Sequence, residues 1–555
     1  MVFRTPPKSA LIAAVALGAA YVRLRGIWWG WPGVFDADAP HIVNLAVYFG
    51  SGDLNPHIFK YPTLWPYLLS GVYGAWFLIG WLAGLWHNAS AFGAHFVWHN
   101  ADFHVAARYF TAAVSLAGVL AVWRASEETG RRTVWAAAIA AFMPVLADMA
   151  HTPKADTILF LFSALSWHAA LRMQREKTVR NAVWAGVWVG LAMSSQYTAA
   201  PLALLPVCAA FAGGTLEPGR FYGAFRLALV SAGCAFAALA LTSPYIFLSP
   251  HEFLASLADM SRESALMRLA HPRVQVCGAL GFNILFYAGT GSAAFLAALA
   301  GFARQWKISV PRALVFAVPC LAHILILANH PYGGWLRFLM PVLPAFILLS
   351  ASALDELPDN PRPALAYLLA LLVLGPGIWG SFSLARRYAL PDTRLLAASW
   401  IEGNIRRGTG ILLDQEHASP PLAMSRRQAE ELLARTSAAG HPKKKYYQLM
   451  AQSHPGGGYR IYRIERSASD LESRPEHVKW SNSARDVLNV GAGLAGLEAG
   501  KIETVVLSSY GIDPARCPEY APFIGQLQSQ WRLAAEFRPG ENMNGPALQI
   551  YTRKK

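Results

Sequence analysis

Long apolar runs recur along the first two thirds of this chain at about 17–25 residues each, the length at which a helix spans a bilayer. Backbone in lipid must satisfy its own hydrogen bonds, which leaves only helices or a closed barrel. A barrel would show ten-residue stretches of alternating hydrophobicity, a pattern this sequence lacks. The expected fold class is therefore a polytopic α-helical membrane protein. The 15% charged residues agree, against roughly 25% in soluble domains. Much of the net charge of +15 lies in short loops between apolar runs, where it orients a membrane protein. No nucleic-acid partner is expected.

About twelve apolar segments fall near 9–22, 64–85, 105–123, 133–149, 156–171, 182–195, 198–213, 226–243, 280–302, 311–328, 335–353 and 363–381. The first leads into Arg23 and Arg25 without a small-residue cleavage site, so it reads as a retained span. The basic connections 124–132, 171–181, 214–226 and 303–312 are expected in the cytoplasm. Residues 151–156, 196–197, 244–279 and 329–335 then lie outside. With the N-terminus inside, 64–85 cannot cross once. It is predicted to lie at the outer interface or to dip in and return, leaving about eleven crossings and an external C-terminus. Residues 250–279 are predicted to form an amphipathic helix that covers a site.

Hydropathy falls after about residue 385. The expected division is a transmembrane catalytic region, 1–385, with a first external loop at 23–104, and a soluble external α/β domain, 386–555. Strands are expected near 410–414, 459–464, 504–508 and 547–551, helices over 421–437 and 517–535, and a flexible loop at 440–458. Cys208, Cys234, Cys277, Cys320 and Cys517 form no CxxC pair and read as small buried thiols.

Ionisable groups concentrate in Phe35-Asp-Ala-Asp-Ala-Pro-His41 and Gly52-Asp-Leu-Asn-Pro-His-Ile-Phe-Lys-Tyr-Pro-Thr63. Such groups are costly near lipid unless a site needs them. Asp36 and Asp38 are two apart and point the same way on an extended loop. One carboxylate can take a proton from a nucleophile while the other holds a metal or a sugar hydroxyl. Lys60 lies where a cation meets a lipid phosphate. His151, Lys154 and Asp156 are expected on the same outer face, and Arg337 opens an outer-face span. Each has a plainer reading. Either loop acid can be solvated or cap a helix, Lys60 can snorkel, and Asp156 can cap the helix that starts there. Arg337 can anchor at the interface, and His57 and His151 can be structural. No His/Cys/Asp/Glu spacing is distinctive of a structural zinc site.

The order of these features resembles the GT-C glycosyltransferases, in the branch with the protein O-mannosyltransferases and the lipid A aminoarabinose transferase. The likeness covers nearly the whole chain. Asp38 matches the Asp of that family's Asp-Glu pair, while Ala39 stands at the Glu position. Lys60-Tyr-Pro-Thr-Leu64 resembles a Lys/His-Pro-Pro-Leu segment, and Ala107-Arg108 the Arg that opens the next span. Asp156 matches the acid of the second external loop, and Gln196 replaces a Lys before Tyr197. Ser243-Pro-Tyr245 and Arg337-Phe-Leu-Met-Pro341 match later landmarks.

The resemblance implies a polyprenyl-phosphate-linked sugar as donor, an inverting transfer at the external face, and a lipid, glycan or protein as acceptor. Asp38 or Asp36 would be the base, Lys60 and Arg337 would hold the donor phosphate, and Asp156 with His151 would orient the acceptor or a divalent cation. No cofactor is certain. A bacterial inner membrane with a periplasmic active site is the expected setting. A transporter or flippase of lipid-linked glycans and a non-catalytic membrane scaffold are the competing classes. Gly491–Gly500 matches GxGxxG, with Asp513 roughly 20 residues on, but too little chain follows for a doubly wound domain.

Overall fold

The computed structural model describes residues 8–130, 133–213, 218–286, 289–355, 363–414, 416–465, 484–491, 493–511 and 520–554. Arg131, Arg132, Asp513 and Cys517 lie outside them. The chain divides into two compact units. The first comprises Met1–Ile27, His41–Val72 and Ala107–Arg386, and the second Trp28–Pro40, Tyr73–Ala106 and Arg387–Lys555.

The first unit is helical. Among the described residues, four helices are long and apolar enough to cross a membrane: Asn100–Thr129, Pro218–Thr242, Val310–Ala328 and Leu368–Tyr388. Several expected spans are broken. Pro144 at a helix start splits 133–149 into Val134–Ala141 and Pro144–Met149. The 280–302 run straddles the end of Arg273–Leu285 and the start of Ser292–Ile308. Residues 335–353 form a 3-10 turn, Leu336–Leu339, and a helix, Leu343–Leu354.

Small residues set the closest packing. Gly186 and Gly190 lie one turn apart on the helix Val179–Ser195. A Cβ at either would fall on a backbone carbonyl of Pro218–Thr242, that of Ser231 or of Ala235. Gly301 meets the Leu349 carbonyl in the same way. Helix association in lipid depends on such close backbone approach, because apolar side chains gain little by leaving lipid for protein. Arg23 is fully buried. Its Nε donates to Ser115 Oγ (2.8 Å), and its Nη atoms donate to the carbonyls of Ala141 (2.8 Å), Ala140 (3.2 Å) and Ala19 (3.2 Å). It thereby satisfies carbonyls exposed where Val134–Ala141 ends.

The second unit carries a six-stranded sheet: β1 Gly410–Leu413, β2 Arg460–Ile464, β3 Val487–Leu488, β4 Ile502–Ser508, β5 Trp531–Phe537 and β6 Leu548–Arg553. The order is β3-β2-β1-β4-β6-β5, with the first four parallel and β6 antiparallel to both neighbours. Side chains alternate between faces. Ile411, Leu413 and Val506 pack with Ala397 and Ile401 on one side, and Leu412, Val505 and Leu507 with Phe523 and Leu527 on the other.

Two expectations for this region are corrected. The helix foreseen over 517–535 is described only as Ala521–Gln530, and Trp531 begins β5, an edge strand. The loop foreseen at 440–458 contains a helix, Lys444–Gln452. Its Tyr447 and Met450 bury against Leu432 and Val97, so tertiary packing outweighs the Gly- and Lys-rich flanks.

Gly186→Leu should cost about 1–3 kcal/mol through overpacking, read as a lower Tm of the detergent-purified protein. Gly223→Leu, on the same partner helix but facing open space, should leave Tm nearly unchanged.

Candidate functional site

The first unit builds a polar cluster around residues 53–63. Gly52, with φ +93°, ends the turn Phe49–Ser51 and sends the chain toward the helix Pro250–Ala270. Asn55 Nδ2 donates to Glu252 Oε2 (2.9 Å) and Ser249 Oγ (3.2 Å). His57 adopts φ +55°, with Nε2 2.9 Å from Asp53 Oδ2 and Nδ1 3.3 Å from Glu252 Oε1. The Phe59 amide donates to Ser256 Oγ (3.1 Å). Lys60 Nζ lies 3.9 Å from Glu263 Oε1, which also accepts from the Tyr332 hydroxyl (3.5 Å).

Glu252, Ser256 and Glu263 fall on one face of their helix, at i, i+4 and i+11. The polar stripe grips the 53–63 segment, while Leu254, Leu257 and Leu269 stay exposed. Phe253, edge-on to Phe59 at 5.6 Å, is the apolar exception. The acids of this helix are plain in the sequence, but their common face with Ser256 is not, because the apolar residues carry the more regular period.

Further contacts tie this segment and Trp65 to three other stretches. Thr63 Oγ1 donates to the Thr242 carbonyl (3.1 Å), and the Thr63 amide donates to Ser243 Oγ (3.2 Å). Ser243 Oγ is also 2.6 Å from Ser194 Oγ. Trp65 Nε1 donates to the Pro153 carbonyl (3.2 Å), beside His151 and Asp156. The Tyr197 hydroxyl donates to the Phe59 carbonyl (3.3 Å).

Asp156 is the first residue of the helix Asp156–Arg175 and is only 1% exposed. Ala155 is the N-cap, and no side chain caps that end. The Asp156 carboxylate instead accepts from Gln196 Nε2 (3.1 Å) and feels the charges of Arg337 and Lys154. The Arg337 guanidinium lies over the rings of Trp335 (4.8 Å) and Phe338 (5.4 Å). His151 is fully buried. Its Nδ1 contacts the Ala147 carbonyl (2.8 Å) and its Nε2 the Arg25 carbonyl (3.0 Å). Both ring nitrogens thus hold backbone.

Asp36 and Asp38 belong to the second unit, and Lys60, His151, Asp156 and Arg337 to the first. The two acids differ sharply. Asp36 Oδ1 accepts from the amides of Asp38 (2.9 Å) and Ala39 (3.0 Å), just ahead of the helix Ala39–Tyr48. This is the bonding of an Asx turn leading into that helix. Asp36 is buried, whereas Asp38 is half-exposed on the same turn. Nearby, Asp102 accepts from Trp31 Nε1 (2.8 Å) and lies 3.1 Å from His95 Nε2.

The Gly-rich turn follows β3 and precedes a helix of only five residues, Ala495–Ala499. Gln526 Oε1 accepts from the Leu494 amide (3.0 Å), so a side chain of the protein occupies this turn. Among the described residues, no cluster of three His, Cys, Asp or Glu has the geometry to hold a metal ion.

Comparison with known proteins places these observations. Residues 100–247 match the family model described as dolichyl-phosphate-mannose-protein mannosyltransferase. No curated protein matches the chain. The apo structure of ArnT from Cupriavidus metallidurans aligns at TM-score 0.50 and 13% identity, over 98% of this chain and 97% of that one. The same enzyme bound to undecaprenyl phosphate aligns at 0.49 and 14%, over 98% of each chain. The Archaeoglobus fulgidus oligosaccharyltransferase with a tethered acceptor peptide aligns at 0.47 and 13%, over 99% of this chain and 74% of that one.

The His57 clasp gives a pH signature. Hydrogen bonds from His57 and Tyr48 lower the Asp53 carboxyl to about 2. The hydrogen bond to Asp53, followed by Glu252, raises His57 despite partial burial. A raised histidine contributes fully below its unfolded pKa of about 6.5 and loses that contribution as pH rises through the folded value. A lowered carboxyl contributes above its unfolded pKa and loses it only in strong acid. His57→Ala should therefore lower Tm modestly at pH 5.5, with the gap to wild type closing by pH 9 in thermal melts.

Proposed function

From a fold that resembles the GT-C glycosyltransferases of the protein O-mannosyltransferase and ArnT-like branch, we infer that this chain is an integral-membrane glycosyltransferase. It moves a sugar from a polyprenyl-phosphate donor to an acceptor hydroxyl. The observation that carries this reading is the family match over 100–247, a stretch that includes Arg108, Asp156, Gln196 and Ser243.

Asp38 is the base. It takes the acceptor proton as the oxygen attacks the anomeric carbon. The carbon–oxygen bond to phosphate breaks, its electron pair leaves with the polyprenyl phosphate, and the anomeric configuration inverts. Asp36 Oδ1 already accepts from the amides of Asp38 and Ala39, which favours Asp38 for proton transfer. Lys60 and Arg337 meet the phosphate, whose charge grows as the bond breaks. Asp156 orients the acceptor. A cation at Asp156 fits poorly, because Gln196 donates an N–H there and Arg337 and Lys154 are positive. His151 acts by fixing its loop to the backbone of Arg25.

In this reading about eleven segments cross a bacterial inner membrane, with 386–555 forming an external α/β domain. The helix Leu64–Leu82, with Leu78, Ile79 and Leu82 exposed, lies along the outer interface.

Purified protein supplied with a polyprenyl-phosphate sugar and a hydroxyl acceptor should release polyprenyl phosphate. Asp38→Asn should reduce kcat by about 10²–10⁴-fold at unchanged Tm, and Asp36→Asn by much less. Full turnover by Asp38→Asn would refute the assignment. A product retaining the donor's anomeric configuration by NMR would refute inversion.

A further inference from the structure

We propose that Arg394 is a positioning residue for the acidic loop, through which the C-terminal part of the second unit sets the orientation of Asp38. The catalytic consequence rests on the glycosyltransferase reading above, whereas the positioning does not. Phe35 immediately precedes Asp36 and is buried. Its ring packs against two bare backbone positions. A Cβ at Gly33 would lie 2.7 Å from the ring and 3.1 Å from Pro421 Cγ, and one at Gly30, where φ is +77°, 2.8 Å from the ring. The Arg394 guanidinium carbon lies 3.7 Å from the ring centroid, well inside the roughly 6 Å at which a cation is held by an aromatic face.

That guanidinium cannot turn freely. Its Nε donates to Asp392 Oδ1 (2.8 Å), its Nη2 to Asp392 Oδ2 (2.6 Å) and its Nη1 to the His417 carbonyl (2.6 Å). A two-point fork to a carboxylate fixes the plane as well as the position. Asp392 is fixed in turn. Its Oδ1 accepts from the Arg394 amide (2.9 Å) as the N-cap of Thr393–Asn404, and Asp392 forms a bridge with Asn544. Both side chains of the pair are about 5% exposed or less. An apolar pair of equal volume would serve stability about as well as a buried ion pair. What the ion pair adds is a flat surface of defined tilt under Phe35. The rigid path then runs from the sheet-bearing segment through Arg394 and Phe35 to Asp36, whose carboxylate fixes the amide of Asp38.

The test uses full-length protein in detergent, as Arg394→Gln, Arg394→Lys, Phe35→Leu and the double variant Arg394→Gln/Phe35→Leu. Hydrogen–deuterium exchange should show lost protection in the peptide covering 30–40, with the helix Val179–Ser195 unchanged. The kcat with a polyprenyl-phosphate sugar should fall about tenfold at constant KM for donor. Arg394→Lys, which keeps the charge but loses the fork, should fall between wild type and Arg394→Gln. The double variant should be no worse than the poorer single one, since both changes break one contact. Unchanged protection at 30–40, a loss confined to KM, or additive losses would overturn the proposal. Should Arg394→Gln fail to fold, Phe35→Leu, which leaves the Asp392–Arg394 pair whole, is judged by the same readouts. Active Asp38→Asn would remove the catalytic reading but leave the exchange result to decide the positioning.

Discussion

Arg23 shows what the first unit has to solve: a guanidinium without exposed surface, on a helix of apolar neighbours. Removing such a charge from water costs several kcal/mol unless its donors are met. The chain meets half of them with backbone carbonyls where a helix breaks, and the rest with Ser115 and the Ala19 carbonyl. The same answer recurs elsewhere. His151 holds two carbonyls, and Lys177 Nζ collects those of Ala209, Ala210 and Ala212. Helix ends and the donors that meet their carbonyls thus complete each other. At Arg23, the break without its cation would strand carbonyls in an apolar interior, and the cation without its break would lose two of its acceptors.

The helical class was legible because its signal, apolar length, does not depend on tertiary contacts. Helix breaks were less so. Pro144 announces one, but nothing local in 280–302 marks where Arg273–Leu285 ends. In the C-terminal region the buried strand β1 was visible as an apolar run, while β5, a half-exposed edge, carries Arg532, Ala534, Ala535 and Glu536 and resembles a helix tail. Lys444–Gln452 was hidden for a related reason. Its buried Tyr447 and Met450 find apolar partners on other helices, Leu432 on the preceding one and Val97 far back in the chain.

At the candidate site, residue type could be read but not occupation. Asp36 and Asp38 are chemically equal in the sequence. Only the backbone turn reveals that one carboxylate is already bonded to two amides. Asp156 looked equally able to cap its helix, yet its partner is Gln196, from a stretch noted only for lacking a lysine. A neutral amide beside a buried acid supplies a hydrogen bond without neutralising it, which leaves Arg337 and Lys154 as the nearby cations whose charge it feels.

The second unit is assembled from three separated stretches, and this has a consequence for how the protein is made. Residues 28–40 leave the ribosome early, whereas Asp392, Arg394 and the sheet are synthesised some 350 residues later. The acidic loop must therefore wait, unsupported, through the insertion of nearly every apolar helix. Chains halted before that last stretch would carry the acids without the frame that holds them.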